Sequence, residues 1–283
     1  MLVAKTKAEL TESLSNKRTQ GNSIGFVPTM GALHKGHLSL VKKARNDNNI
    51  VVVSIYVNPT QFNKTEDLKK YPRNLEKDLE LLNKTHCDVV FAPKSEEMYP
   101  ENEAENDLEF DFVHLDTVME GQSRPGHFQG VATIVSKLFK AVMPHNAYFG
   151  EKDYQQLQII KKLVDLQRFN INIIGCPIVR EQDGLAMSSR NQLLSEEERK
   201  VAPFIYQTLK SAKTLLPEKK PNEIKKWVEK QFEQSPMFLL DYFEIVDTKT
   251  LHTISDWDDT KKAIGCVAAF LGKVRLIDNI IFA

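Results

Sequence analysis

Two histidines, His34 and His37, stand three residues apart with Gly36 between them in PTMGALHKGHLSLV, residues 28–41. Imidazoles at that spacing, in the first turn of a helix, can donate hydrogen bonds to oxygens that gain charge during phosphoryl transfer. The N–H groups of a helix N-terminus favour the same anions. Pro28 and Gly31 suit a turn after a strand, and Gly36 removes a side chain where a ligand must approach the backbone. Two other uses of the pair fit the same residues. The histidines could cap the helix, or they could bind zinc. Zinc needs at least a third ligand, and His86, His114 and His127 stand at no ligand-motif spacing from the pair.

The elements around the pair are those of a βαβ unit. SIGFVPTM (23–30) reads as a strand, and HLSLVKKARND (37–47) places Leu38, Val41 and Ala44 at helical spacing. NIVVVSIYV (49–57) is a nearly continuous β-branched run, as expected of a parallel strand buried on both faces. Helices follow in 72–84, 128–142 and 153–168, and strands in 88–93, 146–150 and 171–179. Such alternation predicts a Rossmann-like, doubly wound parallel sheet. The chain carries neither GxGxxG nor GxxxxGK[ST], so a nucleotide on this sheet must be bound by other means. GEKD, residues 150–153, lies at a second strand-to-helix junction, which brings it to the same edge of the sheet as the histidine turn.

Beyond residue 178 the pattern changes. Helical stretches at 196–216 and 221–234 precede strand candidates at 239–247, 263–271 and 273–281, which predicts a smaller α+β domain. The expected division is therefore 1–178 and 179–283. An acidic stretch around Glu101 to Asp111 is expected to form a surface loop and strand.

Composition narrows the function classes. With 41% hydrophobic residues in 283, the chain can bury about three quarters of its unfolded surface. Cys87, Cys176 and Cys266 are odd in number and scattered, so a reducing cytoplasm is expected rather than a disulfide framework. Lysine plus arginine (38) balances aspartate plus glutamate (38), leaving no basic field for nucleic acid. No run approaches the roughly 18 apolar residues of a membrane span.

PTMGALHKGHLSLV resembles the signature of the HxGH nucleotidyltransferase superfamily in the form found in pantothenate synthetases (pantoate–β-alanine ligases). VNPTQF, YPR, RPGHFQGVATIV, YFGEKDYQQL and VREQDGLAMSSRN stand in that family's order between about residues 24 and 192. The resemblance implies an ATP-dependent condensation of (R)-pantoate with β-alanine through pantoyl adenylate, with Mg²⁺ accompanying ATP and a homodimer as the assembly.

It also implies roles. His34, His37 and Lys152 would be catalytic, with His37 the nominal proton donor. ATP would meet Met30, Gly31, His34, His37, Gly150, Glu151, Lys152, Asp153, Val179, Met187, Ser188, Ser189 and Arg190. Gln61, Gln156 and Met30 would hold pantoate or β-alanine, and Asp153 would serve Mg²⁺ or cap its helix. Arg73, Arg124 and His127 would stabilise loops or contact pyrophosphate, and the polar stretch 63–73 would form a gate. Other readings are an HxGH transferase acting on a phosphorylated acceptor, an aminoacyl-tRNA synthetase and a nucleotide sensor on an inactive scaffold.

Overall fold

The structure is a computed structural model that describes residues 1–63, 65–100, 109–216 and 218–282. Most of the acidic stretch, 101–108, lies outside the described residues. The chain divides into two units. The first comprises Met1–Asp116, Arg124–Glu151 and Gln156–Pro177; the second comprises Thr117–Ser123, Lys152–Gln155 and Ile178–Ala283. The second thus takes in two short segments that a linear division at 178/179 leaves with the first.

The first unit is built on six parallel strands, β1 (Leu2–Ala4), β2 (Ile24–Thr29), β3 (Ile50–Ile55), β4 (Val89–Phe91), β5 (Asn146–Gly150) and β6 (Asn172–Cys176), in the order β1-β4-β3-β2-β5-β6. Alternate residues of each strand go to opposite faces. Ile24, Phe26, Ile50, Val52, Val89, Phe91, Ala147 and Phe149 join one core with helices Lys7–Thr19, His127–Val142 and Tyr154–Gln167. Val27, Val51, Val53, Val90 and Tyr148 join another with helix Lys35–Asp47 and with Leu82 of helix Leu75–Asn83. Burial on both faces explains the unbroken apolar run of β3.

The order of the strands sets where a ligand can bind. From β2 the chain moves outward through β3 to β4, and its return as β5 falls on the other side of β2. The crossovers from the neighbours β2 and β5 therefore leave in opposite directions, and the crevice beyond their carboxyl ends, Thr29 and Gly150, is the switch point of the sheet.

Three local differences from the sequence reading have simple causes. Strand β1 escapes that reading, because three residues are too short to show a period. Strand β6 stops at Cys176 instead of running to Val179, since Pro177 has no N–H for a ladder. The stretch 196–216 is two helices, Glu196–Val201 and Phe204–Thr214, divided at Pro203.

The second unit is an antiparallel sheet β7-β8-β9 (Phe238–Asp247, Ala263–Leu271, Val274–Ile281). Helices Phe204–Thr214 and Pro221–Glu233 share its apolar core, where Phe204, Phe232 and Phe238 meet ring to ring. Side-chain bonds attach the two inserted segments. Gln155 donates to the Val118 carbonyl at 2.8 Å and accepts from Glu120 N at 3.0 Å, and Glu120 pairs with Arg275 of β9 at 2.6 Å. Among the described residues no helix is long and apolar enough to cross a membrane.

Candidate active site

The turn after β2 is held from within. Thr29 Oγ1 donates to the Ser54 carbonyl at 2.7 Å and accepts from Gly31 N at 3.2 Å. Gly31 has φ +79°, and a Cβ there would lie 2.9 Å from Asp78 Oδ2, so both conformation and space require glycine. Ala32 follows at φ +49°, a left-handed conformation that costs about 1–2 kcal/mol for a residue with a Cβ. Asp78, only 3% exposed, holds this backbone: Oδ2 accepts from Ala32 N at 2.9 Å and Oδ1 from Leu33 N at 2.7 Å. Burial pushes the Asp78 carboxyl above the usual range, while the two N–H groups pull it back.

The turn delivers His34 to the N-cap of helix Lys35–Asp47, where its Nδ1 accepts from Gly36 N at 3.1 Å. An accepting Nδ1 carries no proton, so in the neutral ring the proton sits on Nε2, which becomes a donor. One histidine can therefore cap the helix through one nitrogen and serve an anion through the other. The His37 ring lies 4.1 Å from that of His34, centroid to centroid, tilted by 38°. Among the described residues no three His, Cys, Asp or Glu side chains are grouped to hold a metal, which gives the zinc reading no third ligand.

Gln61 comes to the same turn. Its Nε2 donates to Met30 Sδ at 2.9 Å and its Oε1 accepts from Asn58 Nδ2 at 3.3 Å, with the residue 7% exposed. The RPGHFQG segment fixes its backbone. His127 Nδ1 donates to the Gln61 carbonyl at 2.8 Å; its Nε2 therefore accepts, taking a hydrogen bond from Arg124 Nη1 at 3.2 Å, while Arg124 Nη2 reaches the same carbonyl at 3.3 Å. Gly130 permits the approach, because a Cβ there would lie 2.5 Å from the Thr60 carbonyl oxygen. Arg124 and His127 are accordingly loop-holding residues. Arg73 donates to the Leu68 carbonyl near the end of helix Thr65–Lys70, which occupies much of the stretch read as a gate.

At the other side of the switch point β5 ends at Gly150. Glu151 lies near β6, where a Cβ on Gly175 would sit 3.1 Å from its Oε1. Gln156 is half-buried in the first turn of helix Tyr154–Gln167.

The remaining expected residues belong to the second unit. Lys152 Nζ lies 3.3 Å from Asp153 Oδ2, with their side chains 16% and 48% exposed. Val179 and Met187 pair across one small hairpin that runs on into Ser188–Arg190: Met187 N donates to the Val179 carbonyl at 3.0 Å, and Arg180 bridges to Ala186. Ser188 caps the following 3₁₀ turn, its Oγ accepting from Arg190 N at 3.3 Å. Arg180 anchors the hairpin through Asp278 of β9.

The structure thus gathers Met30, Gly31, His34, His37 and Gln61 in one unit, and Val179 and Met187–Arg190 in the other. Sequence reasoning missed their anchors, Asp78, Asn58, Arg180 and Asp278. A signal for two of them was present. Asp78 interrupts the apolar spacing Leu75, Leu79, Leu82, and Asp278 continues the alternation Val274, Leu276, so each charge sits where the period calls for an apolar residue.

A histidine turn at the switch point of a doubly wound sheet defines the class: a Rossmann-like α/β protein of the HxGH type. Comparison narrows it. The family model for pantoate-beta-alanine ligase matches residues 2–281. Pantothenate synthetase of Bacteroides fragilis is 52% identical over 280 residues, 99% of this chain and 98% of that protein. The crystal structure of the Thermus thermophilus pantothenate synthetase superposes with a TM-score of 0.91 at 46% identity, covering 99% of each chain. That of the Francisella tularensis pantoate-beta-alanine ligase, complexed with beta-gamma ATP and beta-alanine, gives 0.81 at 36% identity over 100% of this chain and 98% of that one. The chain belongs to the pantoate–β-alanine ligase family.

Proposed function

We propose that this chain makes pantothenate from (R)-pantoate and β-alanine at the expense of ATP, using the histidine turn as its phosphate-facing element. A carboxylate oxygen of pantoate attacks the α-phosphorus, the bond from that phosphorus to the bridging oxygen breaks, and pyrophosphate leaves. The amine of β-alanine then attacks the acyl carbon of the adenylate, the bond to the phosphate oxygen breaks, and AMP departs while the amine loses its proton. A mixed anhydride is already activated, so no protein nucleophile is needed. The protein supplies position and charge stabilisation.

In this reading His34, through Nε2–H, and His37 donate to the phosphate oxygens that gain charge. Lys152, Ser188, Ser189 and Arg190 hold the phosphates that leave. Gly31, Gly150, Glu151, Val179 and Met187 border the nucleotide. Gln61, Gln156 and Met30 receive pantoate; the Gln61 amide offers donor and acceptor without adding charge against a carboxylate nucleophile. The donor set suits Mg²⁺ carried by the phosphates: Asp153, nearly half exposed, offers one hard oxygen ligand, and bound Mg²⁺ would neutralise phosphate charge. A two-fold homodimer is the proposed assembly, two-fold dimers being the commonest oligomers. A reducing cytoplasm is the proposed setting, which suits three cysteines that are all free thiols.

The observation that carries the reading is the capped His34, whose only protonated nitrogen in the neutral ring is Nε2, at the carboxyl end of β2. The test is exchange of labelled pyrophosphate into ATP with Mg²⁺ and no β-alanine. Exchange that requires pantoate supports the reading. Exchange that requires a phosphorylated acceptor instead, or no exchange with any acid, overturns it.

A further inference from the structure

Asp278 and Asn279 are adjacent polar residues on β9, 4% and 6% exposed, and neither side chain is needed for strand pairing. Each reaches a different functional segment. Arg180 lays a bidentate pair on Asp278, Nη1 to Oδ2 at 2.6 Å and Nη2 to Oδ1 at 2.9 Å. The same guanidinium donates to the Gly184 carbonyl at 3.1 Å and the Asn279 carbonyl at 3.3 Å, and lies 3.6 Å above the centre of the Tyr206 ring. It therefore joins the first strand and the turn of the hairpin that ends in Ser188–Arg190. Asn279 sends its Nδ2 to the Lys152 carbonyl at 3.0 Å, and its own N–H donates to Asp278 Oδ1 at 2.8 Å.

We propose that the Asp278–Asn279 step of β9, acting with Arg180, is a positioning device that sets the Lys152 segment and the Ser188–Arg190 hairpin in register with one another for the phosphates of ATP. The proposal rests on the reading of Lys152 and Ser188–Arg190 as phosphate-binding groups. A buried ion pair is weak as a source of stability, because desolvation offsets much of its attraction. Its fork geometry is what an apolar replacement would not reproduce. All three residues act through other groups, so the effect should fall on ATP and spare pantoate.

The experiment measures KM for ATP and for pantoate, kcat and thermal melting in Arg180→Lys, Asn279→Leu, Lys152→Ala and the double variant Asn279→Leu/Lys152→Ala. Asn279→Leu removes the hydrogen bond to the Lys152 carbonyl at similar volume and should raise the KM for ATP about fivefold, leaving that for pantoate within about twofold. Arg180→Lys keeps the charge but loses the fork, and should raise the KM for ATP about tenfold. In the Lys152→Ala background Asn279→Leu should change ATP use by less than about twofold, because the group it positions has gone. Equal shifts for ATP and pantoate, or the same factor for Asn279→Leu in both backgrounds, would overturn the positioning role. If Lys152→Ala alone leaves ATP use intact, the phosphate-binding reading fails, and the proposal falls with it for that separate reason.

Discussion

In the first unit a buried carboxylate holds the histidine turn directly, by accepting two main-chain N–H groups; in the second a buried carboxylate holds the serine–arginine hairpin through a guanidinium. Asp78 supports a left-handed residue, Ala32, two positions before His34, and burial raises its pKa. Asp278 meets a full positive charge at 2.6 Å, and burial raises its pKa as well. Damage should therefore appear in different quantities. Losing the first anchor frees a strained turn and should show in rate. Losing a charged partner in the second leaves an uncompensated buried charge and should show in stability.

The largest effect is expected from a second ion pair in the second unit. Arg275 lies 2.6 Å from Glu120 and 2.7 Å from Asp241, and Tyr242 OH donates to Glu120 at 3.0 Å. Arg275→Ala removes the cation that faces Glu120, whose side chain is 11% exposed, and should cost about 3–5 kcal/mol in denaturant unfolding. A loss below about 1 kcal/mol would mean that the Glu120 carboxylate does not need this cation. Asp78→Ala comes next, with adenylation in a rapid-quench assay slower by about a hundredfold, the scale of misplacing a catalytic group by an ångström. An unaltered rate would mean that the turn holds itself.

Gln61→Ala should weaken pantoate by about tenfold and ATP by less, since a lost hydrogen bond to a charged group is worth about 1.5–3 kcal/mol. Equal losses would make Gln61 a loop residue like Arg124. The smallest effect is a slope. With its folded pKa raised by burial, Asp78 contributes its full stability below the ordinary carboxylate range and loses it as pH rises through the raised value. Over that mildly acidic window Asp78→Asn should make stability decline less, or climb more, with rising pH, by at most about 1.4 kcal/mol per pH unit. Parallel pH profiles for the two proteins would contradict the raised value.

Much of this was legible in the sequence because it is periodic or local. The unbroken run of β3 announced burial on both faces, and the helix after His34 announced the turn before it. The C-terminal sheet was readable for the same reason. Strand β1 was not, since its partner, β4, is 87 residues away and three residues carry no period. The anchors were hidden differently. Asp78 falls on the apolar face of its helix in EKDLELL, which signals burial, but its role depends on a turn 45 residues earlier. His127 reads as a candidate ligand until the Gln61 carbonyl, 66 residues before it, fixes which nitrogen carries the proton. Periodicity reports burial, whereas the partner of a buried charge is a long-range fact.

Adenylation of the pantoate carboxylate can be followed through an oxygen atom. Pantoate labelled with ¹⁸O in its carboxylate is turned over with ATP, Mg²⁺ and β-alanine, and the nucleotide and phosphate products are weighed by mass spectrometry. One ¹⁸O is expected in each AMP and none in pyrophosphate, because the attacking oxygen stays on the α-phosphorus when the amine takes the acyl group. Label in orthophosphate with ADP as the nucleotide product, or unlabelled AMP, would contradict adenylation of that carboxylate.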